Sequence, residues 1–191
     1  MKFQKAAFIT LALLSAGTAQ ARDASLLFQF GLDVGGDQLF QATYTNGDTV
    51  KIDAGDMFQI GMGTTFQTMP EHYPDLETQL SVGYKFDAAN ATNGDITWQR
   101  FPIEALQFYT IPAWRFGGGL TYHLNPSLQG SGVAAGVDVN FDNTLGVIVE
   151  VDYVMGKAYI GGRITRIDYT VSNTNVSASG NSIGVTFGYR L

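Results

Sequence analysis

The chain has 191 residues, of which 45% are apolar, 13% aromatic and only 15% charged. It contains no cysteine, which excludes a disulfide framework and thiolate metal sites. A formal charge of −6 excludes the basic surface that phosphate binding needs, so no nucleic-acid partner is expected.

The first element is a targeting segment. Lys2 and Lys5 precede a short apolar run, Ala6 to Leu14, and Ala19-Gln20-Ala21 supplies the small residues that a signal peptidase reads. The run is too short for a membrane-spanning helix, which takes about 20 residues. We expect residues 1–21 to be a cleaved signal peptide and residues 22–191 to form one β-barrel domain. No cysteine follows the apolar run, so a lipoprotein anchor is excluded. Without Lys2 and Lys5, nine basic residues stand against 17 acidic ones, a net charge of −8. Three lysines remain, Lys51, Lys85 and Lys157. So little charge is a poor soluble exterior, because water-facing surfaces carry about 25–35% charged residues.

Beyond residue 22 the hydrophobic period is two, which is the strand signal. In chain order, Leu26, Phe28, Phe30, Leu32 and Val34 oppose Gln29, Gly31, Asp33 and Gly35. Gln38–Thr45 and Asp48–Asp53 flank Asn46-Gly47, a tight hairpin signal. Leu80, Val82, Tyr84 and Phe86 oppose Gln79, Ser81, Gly83 and Lys85. Trp114, Phe116, Gly118, Leu120 and Tyr122 oppose Arg115, Gly117, Gly119, Thr121 and His123. Val133, Ala135, Val137, Val139 and Phe141 form another alternating run, followed by Leu145, Val147, Val149, Val151 and Tyr153. The last run places Ile183, Val185, Phe187, Tyr189 and Leu191 on one face.

Further breaks are expected at Asn93-Gly94-Asp95, Asn125-Pro126, Asp142-Asn143 and Met155-Gly156, and in the polar stretches 67–75 and 172–181. The expected strands are 25–34, 38–45, 48–66, 76–87, 96–109, 113–123, 133–141, 144–154, 157–170 and 182–191. The wall then has ten strands if 38–53 joins it, and eight if that hairpin lies outside. As read, the breaks do not alternate between short and long.

Alternation leaves open whether the apolar face lines a core or meets lipid. Three features point outward. The opposite face is built of Gly, Ser, Thr, Asn and Gln with isolated charges, which suits a narrow lumen. Trp98, Tyr109, Trp114, Tyr122, Tyr153, Tyr159, Tyr169 and Tyr189 fall near run ends, as in an interfacial aromatic girdle. The chain also finishes on a strand. The expected fold is all-β, a closed antiparallel up-and-down transmembrane β-barrel of 8–10 strands.

The final strand, with Val185, Phe187 and Tyr189 alternating up to Leu191, resembles the C-terminal targeting signature of Gram-negative outer-membrane barrels, although that signature usually closes on Phe. Together with the signal segment and repeated strands, it makes the chain similar to the outer-membrane protein A-like β-barrel superfamily. The resemblance implies an outer-membrane location, contact with outer-membrane lipid and lipopolysaccharide, and recognition of the C-terminal strand by the barrel assembly machinery. It implies little about function. We expect a monomer.

The inward-facing set is expected to be Lys85, Arg100, Arg115, Arg163 and Arg190 against Asp33, Glu104, Asp138, Glu150 and Asp152, with His123 beside them. Buried charges persist when paired, and an eight-stranded lumen is filled by side chains, so these should form a structural plug. No catalytic constellation stands out. His123 has Asn125, not Ser, two positions on, and Ser127 lies across a proline. Glu71, His72 and Asp75 surround two prolines with no metal-loop spacing. Gly117-Gly118-Gly119 precedes no helix, so it is not a phosphate loop. No cofactor or metal is expected. The expected role is a non-enzymatic barrel for structure, surface binding or narrow solute passage. The alternatives are a lipid-modifying barrel enzyme and a soluble lipocalin-like carrier.

Overall fold

A computed structural model describes residues 24–43, 49–91 and 94–191. The expected signal peptide and the Asn46-Gly47 turn lie outside the described residues. The strands are β1 (Ser25–Val34), β2 (Gln38–Thr43), β3 (Thr49–Asp53), β4 (Met57–Met69), β5 (Tyr73–Ala91), β6 (Gly94–Ile111), β7 (Trp114–Gly130), β8 (Asp138–Asn140), β9 (Thr144–Met155), β10 (Ala158–Arg166), β11 (Asp168–Thr170), β12 (Ser177–Ser179) and β13 (Ser182–Arg190).

Eight of them close a barrel. Following the hydrogen bonds, the ring runs β1, β4, β5, β6, β7, β9, β10, β13 and back to β1. All its pairings are antiparallel. The closing seam pairs Leu27 with Arg190 and runs in register to Val34 and Ile183. Each stave neighbours the next stave in sequence, so the barrel is up-and-down, with no unpaired wall edge.

The polarity is outward. Exposed side chains include Leu26, Phe28, Phe30, Ile60, Met62, Val82, Phe116, Leu120, Val147, Val149, Ile160, Val185 and Phe187, all on the outer face of the wall. Their inward neighbours Asp33, Gln59, Ser81, Arg115, Thr121, Glu150, Arg163 and Thr186 are buried. Period-2 sequences folded this way put apolar groups in contact with lipid, and a closed barrel leaves no backbone group unpaired there. The fold is a transmembrane β-barrel.

The two ends differ. At one end the staves are joined by tight turns at 70–72, 112–113 and 156–157, the last using Gly156 at φ +65°. Tyr73, Tyr109, Trp114, Tyr153 and Tyr189 ring this end, all exposed. At the other end the long connections carry β2–β3, β8 and β11–β12. The fourth connection at that end, between β5 and β6, spans only residues 92–93, so short and long connections do not alternate strictly, in keeping with the sequence expectation. The hairpin β2–β3 is a separate two-stranded sheet. The wall has eight strands, and 38–53 is not part of it.

Three expectations are corrected. The run 133–141 is not a wall strand. It is a single 3-10 turn, Gly132–Ala134, followed by the three-residue β8, which pairs with the far end of β7. Asn125-Pro126 is not a break, because β7 runs through it. The pairing register slips there, from Gln99 opposite Ser127 to Phe101 opposite Leu124, with Asn125 at φ +47°. That is a β-bulge, the setting in which a strand tolerates a proline without an N–H. Finally, Trp98, Tyr159 and Tyr169 are not girdle residues but fully buried ones.

Staves β5, β6 and β7 have 19, 18 and 17 residues, whereas β1, β10 and β13 have only nine or ten. A tilted strand crosses a bilayer in about 9–11 residues, so the long staves run on for about 25 Å of strand length beyond the lipid. Along β6 the faces exchange character. From Ala105 to Phe101 the outward residues Ala105, Ile103 and Phe101 are apolar, and below them Gln107 bonds Thr68 and the Glu77 carbonyl beside Tyr109, whereas the inward set includes Glu104 and Arg100. Beyond Phe101, Gln99, Thr97 and Asp95 face out, and Trp98 and Ile96 face in and are buried.

Candidate functional site

The lumen is filled by three layers of paired polar groups. Nearest the short turns, the Arg115 guanidinium is fully buried between the rings of Phe108 and Tyr159, 4.0 and 3.9 Å from their centroids. Its Nε donates to Asp152 Oδ2 at 2.5 Å and its Nη1 to Glu77 Oε1 at 2.8 Å. Arg190, half-buried, pairs with Glu77 at 2.9 Å. Glycine makes room for these rings, since a Cβ at Gly117 would overlap Phe108 and one at Gly188 would overlap Tyr159. The glycines thus let flat rings lie across the inner wall.

The middle layer centres on Arg163. It pairs with Glu104 at 3.0 Å and with Glu150 at 2.9 Å. Glu104 also accepts from Gln59 Nε2 at 3.1 Å, and Gln29 Nε2 donates to Ser81 Oγ at 3.1 Å. Above it, Lys85 Nζ donates to Asp33 Oδ2 at 2.7 Å. Arg100 donates to the main-chain carbonyl of Asp56 and lies 4.9 Å from the Trp98 ring centroid.

Of the residues expected inside, Asp33, Lys85, Arg100, Glu104, Arg115, His123, Glu150, Asp152 and Arg163 are buried in the lumen, and Arg190 is at its lower mouth. Asp138 is not among them. It stands exposed on β8, because the segment expected to be a wall strand lies above the barrel. Its place in the charge balance is taken by Glu77. The sequence held a signal for Glu77, since it continues the inward phase of Gln79, Ser81 and Lys85 by one step.

The upper mouth is covered by an apolar cap. Ile52 and Ala54 from the β2–β3 connection, Ala89, Ile96, Trp98 and Leu128 from the projecting staves, Phe141 after β8, and Ile167 and Tyr169 around β11 form one buried cluster. Phe141 and Tyr169 both meet Trp98 edge-on, with centroids 5.1 Å away. Trp98 Nε1 donates to the Ala54 carbonyl at 3.0 Å. The Tyr169 hydroxyl lies 2.7 Å from His123 Nδ1, linking cap to lumen. Burial pushes the Tyr169 phenol up, so it stays protonated at neutral pH, and the His123 tautomer sets which of the two donates. In the same cap, Asp56 accepts the Gly35 N–H at 2.8 Å. Burial nevertheless pushes its carboxyl above the usual range, with Asp53 and Asp87 adding to the rise.

The residues weighed for chemistry do not assemble. His123 is engaged with Tyr169, Ser127 Oγ accepts from Gln99, and Glu150 is held by Arg163. Glu71 and His72 are exposed in the tight turn at 70–72, and Asp75 is exposed on β5.

No protein-family model matches the chain, and no curated protein aligns with it significantly. Solved structures do. Ail, the attachment invasion locus protein of Yersinia pestis, superposes with a TM-score of 0.54 in its complex with the heparin analogue sucrose octasulfate, and 0.53 without it. In both cases identity is 10%, over 88% of this chain and 97% of that one. The fold is that of the small outer-membrane β-barrels. Neisserial surface protein A is 17% identical over 87% of this chain and 97% of its own, with a TM-score of 0.47.

Proposed function

We propose that the protein is a non-enzymatic outer-membrane barrel whose lumen is closed and whose working surface is the cap above it. The observation that carries this is the burial of the lumen charges together with the ordered apolar cap. A water-filled path would expose Arg115, Thr121, Glu150 and Asp152, which are 0–1% exposed. Solute passage is therefore the weaker reading. In this view the barrel is an anchor in the outer membrane. It is surrounded by lipopolysaccharide and is assembled through its C-terminal strand β13. The cap, on the long-loop side, faces the cell exterior, as long loops do in such barrels.

The distribution of lysines provides the test. Lys51 is exposed in the cap, Lys157 is exposed in a short turn, and Lys85 is buried. A membrane-impermeant amine reagent applied to intact cells should label Lys51 and leave Lys157 unlabelled, read by peptide mass spectrometry. Labelling of Lys157 with Lys51 protected would overturn the surface-binding reading. In planar bilayers the purified protein should show no stable conductance steps, and reproducible ohmic steps would overturn the closed lumen.

A further inference from the structure

The cap contains an open slot. Strand β2 begins beside Asp37, and β12 ends at Ser179. There the two are pinned. The Asp37 N–H donates to the Ser179 carbonyl at 2.6 Å, and the Ser179 N–H donates to Asp37 Oδ2 at 2.8 Å. Beyond the pin β2 pairs only with β3, and β12 only with β11. Each therefore presents an edge with no partner strand among the described residues. A cavity of about 400 Å³ lies between them, bordered by Leu39 and Ala178 and floored by Leu128, Val139, Phe141 and Val171.

Main-chain direction follows from the pairing. In an antiparallel ladder, alternate residues turn their N–H and C=O toward one partner and then away from it. Ser179 turns both toward Asp37, away from β11. Ser177, two residues back, turns its own pair the same way, into the slot. On the opposite side the register slips between Gln38 and Phe40, so Leu39 is an unmatched bulge residue. The slot thus offers a strand edge, an apolar floor and the width between two separating strands.

Charge narrows the occupant. The segments 37–43, 128–142 and 168–179 that wall the slot carry Asp37, Asp138, Asp142 and Asp168, and no Lys or Arg. Such a rim repels polyanions and attracts cations. We propose that the slot receives an extended peptide segment of an extracellular partner, with alternating apolar and basic side chains, added as a strand beside β12. Main-chain hydrogen bonds to the edge would hold it, apolar side chains would enter the floor, and basic ones would meet the rim. This rests on the outward-facing cap proposed above and names its class of partner.

The test uses the full barrel domain folded in detergent micelles and a fluorescein-labelled hexapeptide of alternating valine and lysine, read by fluorescence anisotropy. Saturable binding is expected, weakening as salt rises. Methylating the peptide's backbone nitrogens keeps composition and charge but removes its donors, and should weaken binding at least tenfold. Ser177→Pro removes a donor that points into the slot while leaving the β11 pairing intact, and should do the same. Val139→Arg should abolish binding with the folded gel mobility retained. Equal binding of the methylated peptide, or unchanged binding to Ser177→Pro and Val139→Arg, would overturn the strand-addition model. If peptide binding fails while Lys51 is labelled on intact cells, the peptide is refuted and the outward cap stands. Labelling of Lys157 instead would refute both.

Discussion

Replacing Arg163 with methionine removes the one cation that bridges the middle layer of the lumen. The guanidinium is 3.0 Å from Glu104 and 2.9 Å from Glu150, and the two carboxylate side chains are 2% and 0% exposed. Their fates differ. Glu150 keeps Arg115 at 3.8 Å, whereas Glu104 keeps only neutral donors, Gln59, Gln29 and Ser81. The variant thus strands one fully buried carboxylate, a change that costs about 3–5 kcal/mol. The assay is urea unfolding of the barrel in lipid vesicles, followed by heat-modifiable gel mobility and tryptophan fluorescence. Adding Glu104→Gln to Arg163→Met should recover most of the loss, because the stranded charge is gone while an amide can still bond its neighbours. A loss below about 1 kcal/mol for the single variant, or no recovery in the double one, would refute a lumen held by compensated charge.

The cap should yield independently of the wall. Trp98→Ala removes the ring at the centre of the cap cluster, a truncation that costs about 3–5 kcal/mol in a packed core. Proteolysis within 35–56 and 167–181 should then accelerate, while the heat-modifiable mobility of the barrel persists. Acid should tighten the first cap connection. Because burial raises the Asp56 carboxyl, the neutral form is favoured in the folded cap. Its contribution is fully present at low pH and is lost as pH rises through the elevated folded value. Amide exchange at 35–56 should slow on acidification after correction for the intrinsic rate, and Asp56→Asn should remove that dependence.

Much of the wall was legible because lipid enforces a strict period. In β1, β9 and β13 each apolar residue named from alternation faces outward, since a single slip would turn a charge to the bilayer. The cap was not legible, because its rules are those of a soluble core. Val133, Ala135, Val137, Val139 and Phe141 alternate as a strand would. Yet Val137 and Val139 pack from above against the cluster that contains Phe141, which needs no continuous ladder. Trp98, Tyr159 and Tyr169 were misassigned for a related reason. An aromatic ring suits both a lipid headgroup and a buried cation or cluster, and the sequence does not distinguish them. Asp138 followed Val139 into error, being placed by a strand that does not exist. The lumen pairs themselves depend on which staves face one another across the barrel. Arg163 and Glu104 lie 59 residues apart, and only closure of the ring brings them together.

Stave β6 passes from hydrocarbon to water without a hinge, and its faces trade character between Phe101 and Gln99. That crossover works as a depth gauge. Sinking the barrel by two residues would submerge Gln99, and raising it would lift Phe101 out of the acyl region. The protein therefore has one preferred elevation. A thicker or thinner bilayer must bend its own lipids at the rim to accommodate it. Since the same rigid ribbon continues upward, the cap rides at a constant height above the headgroups, whatever the membrane beneath it does.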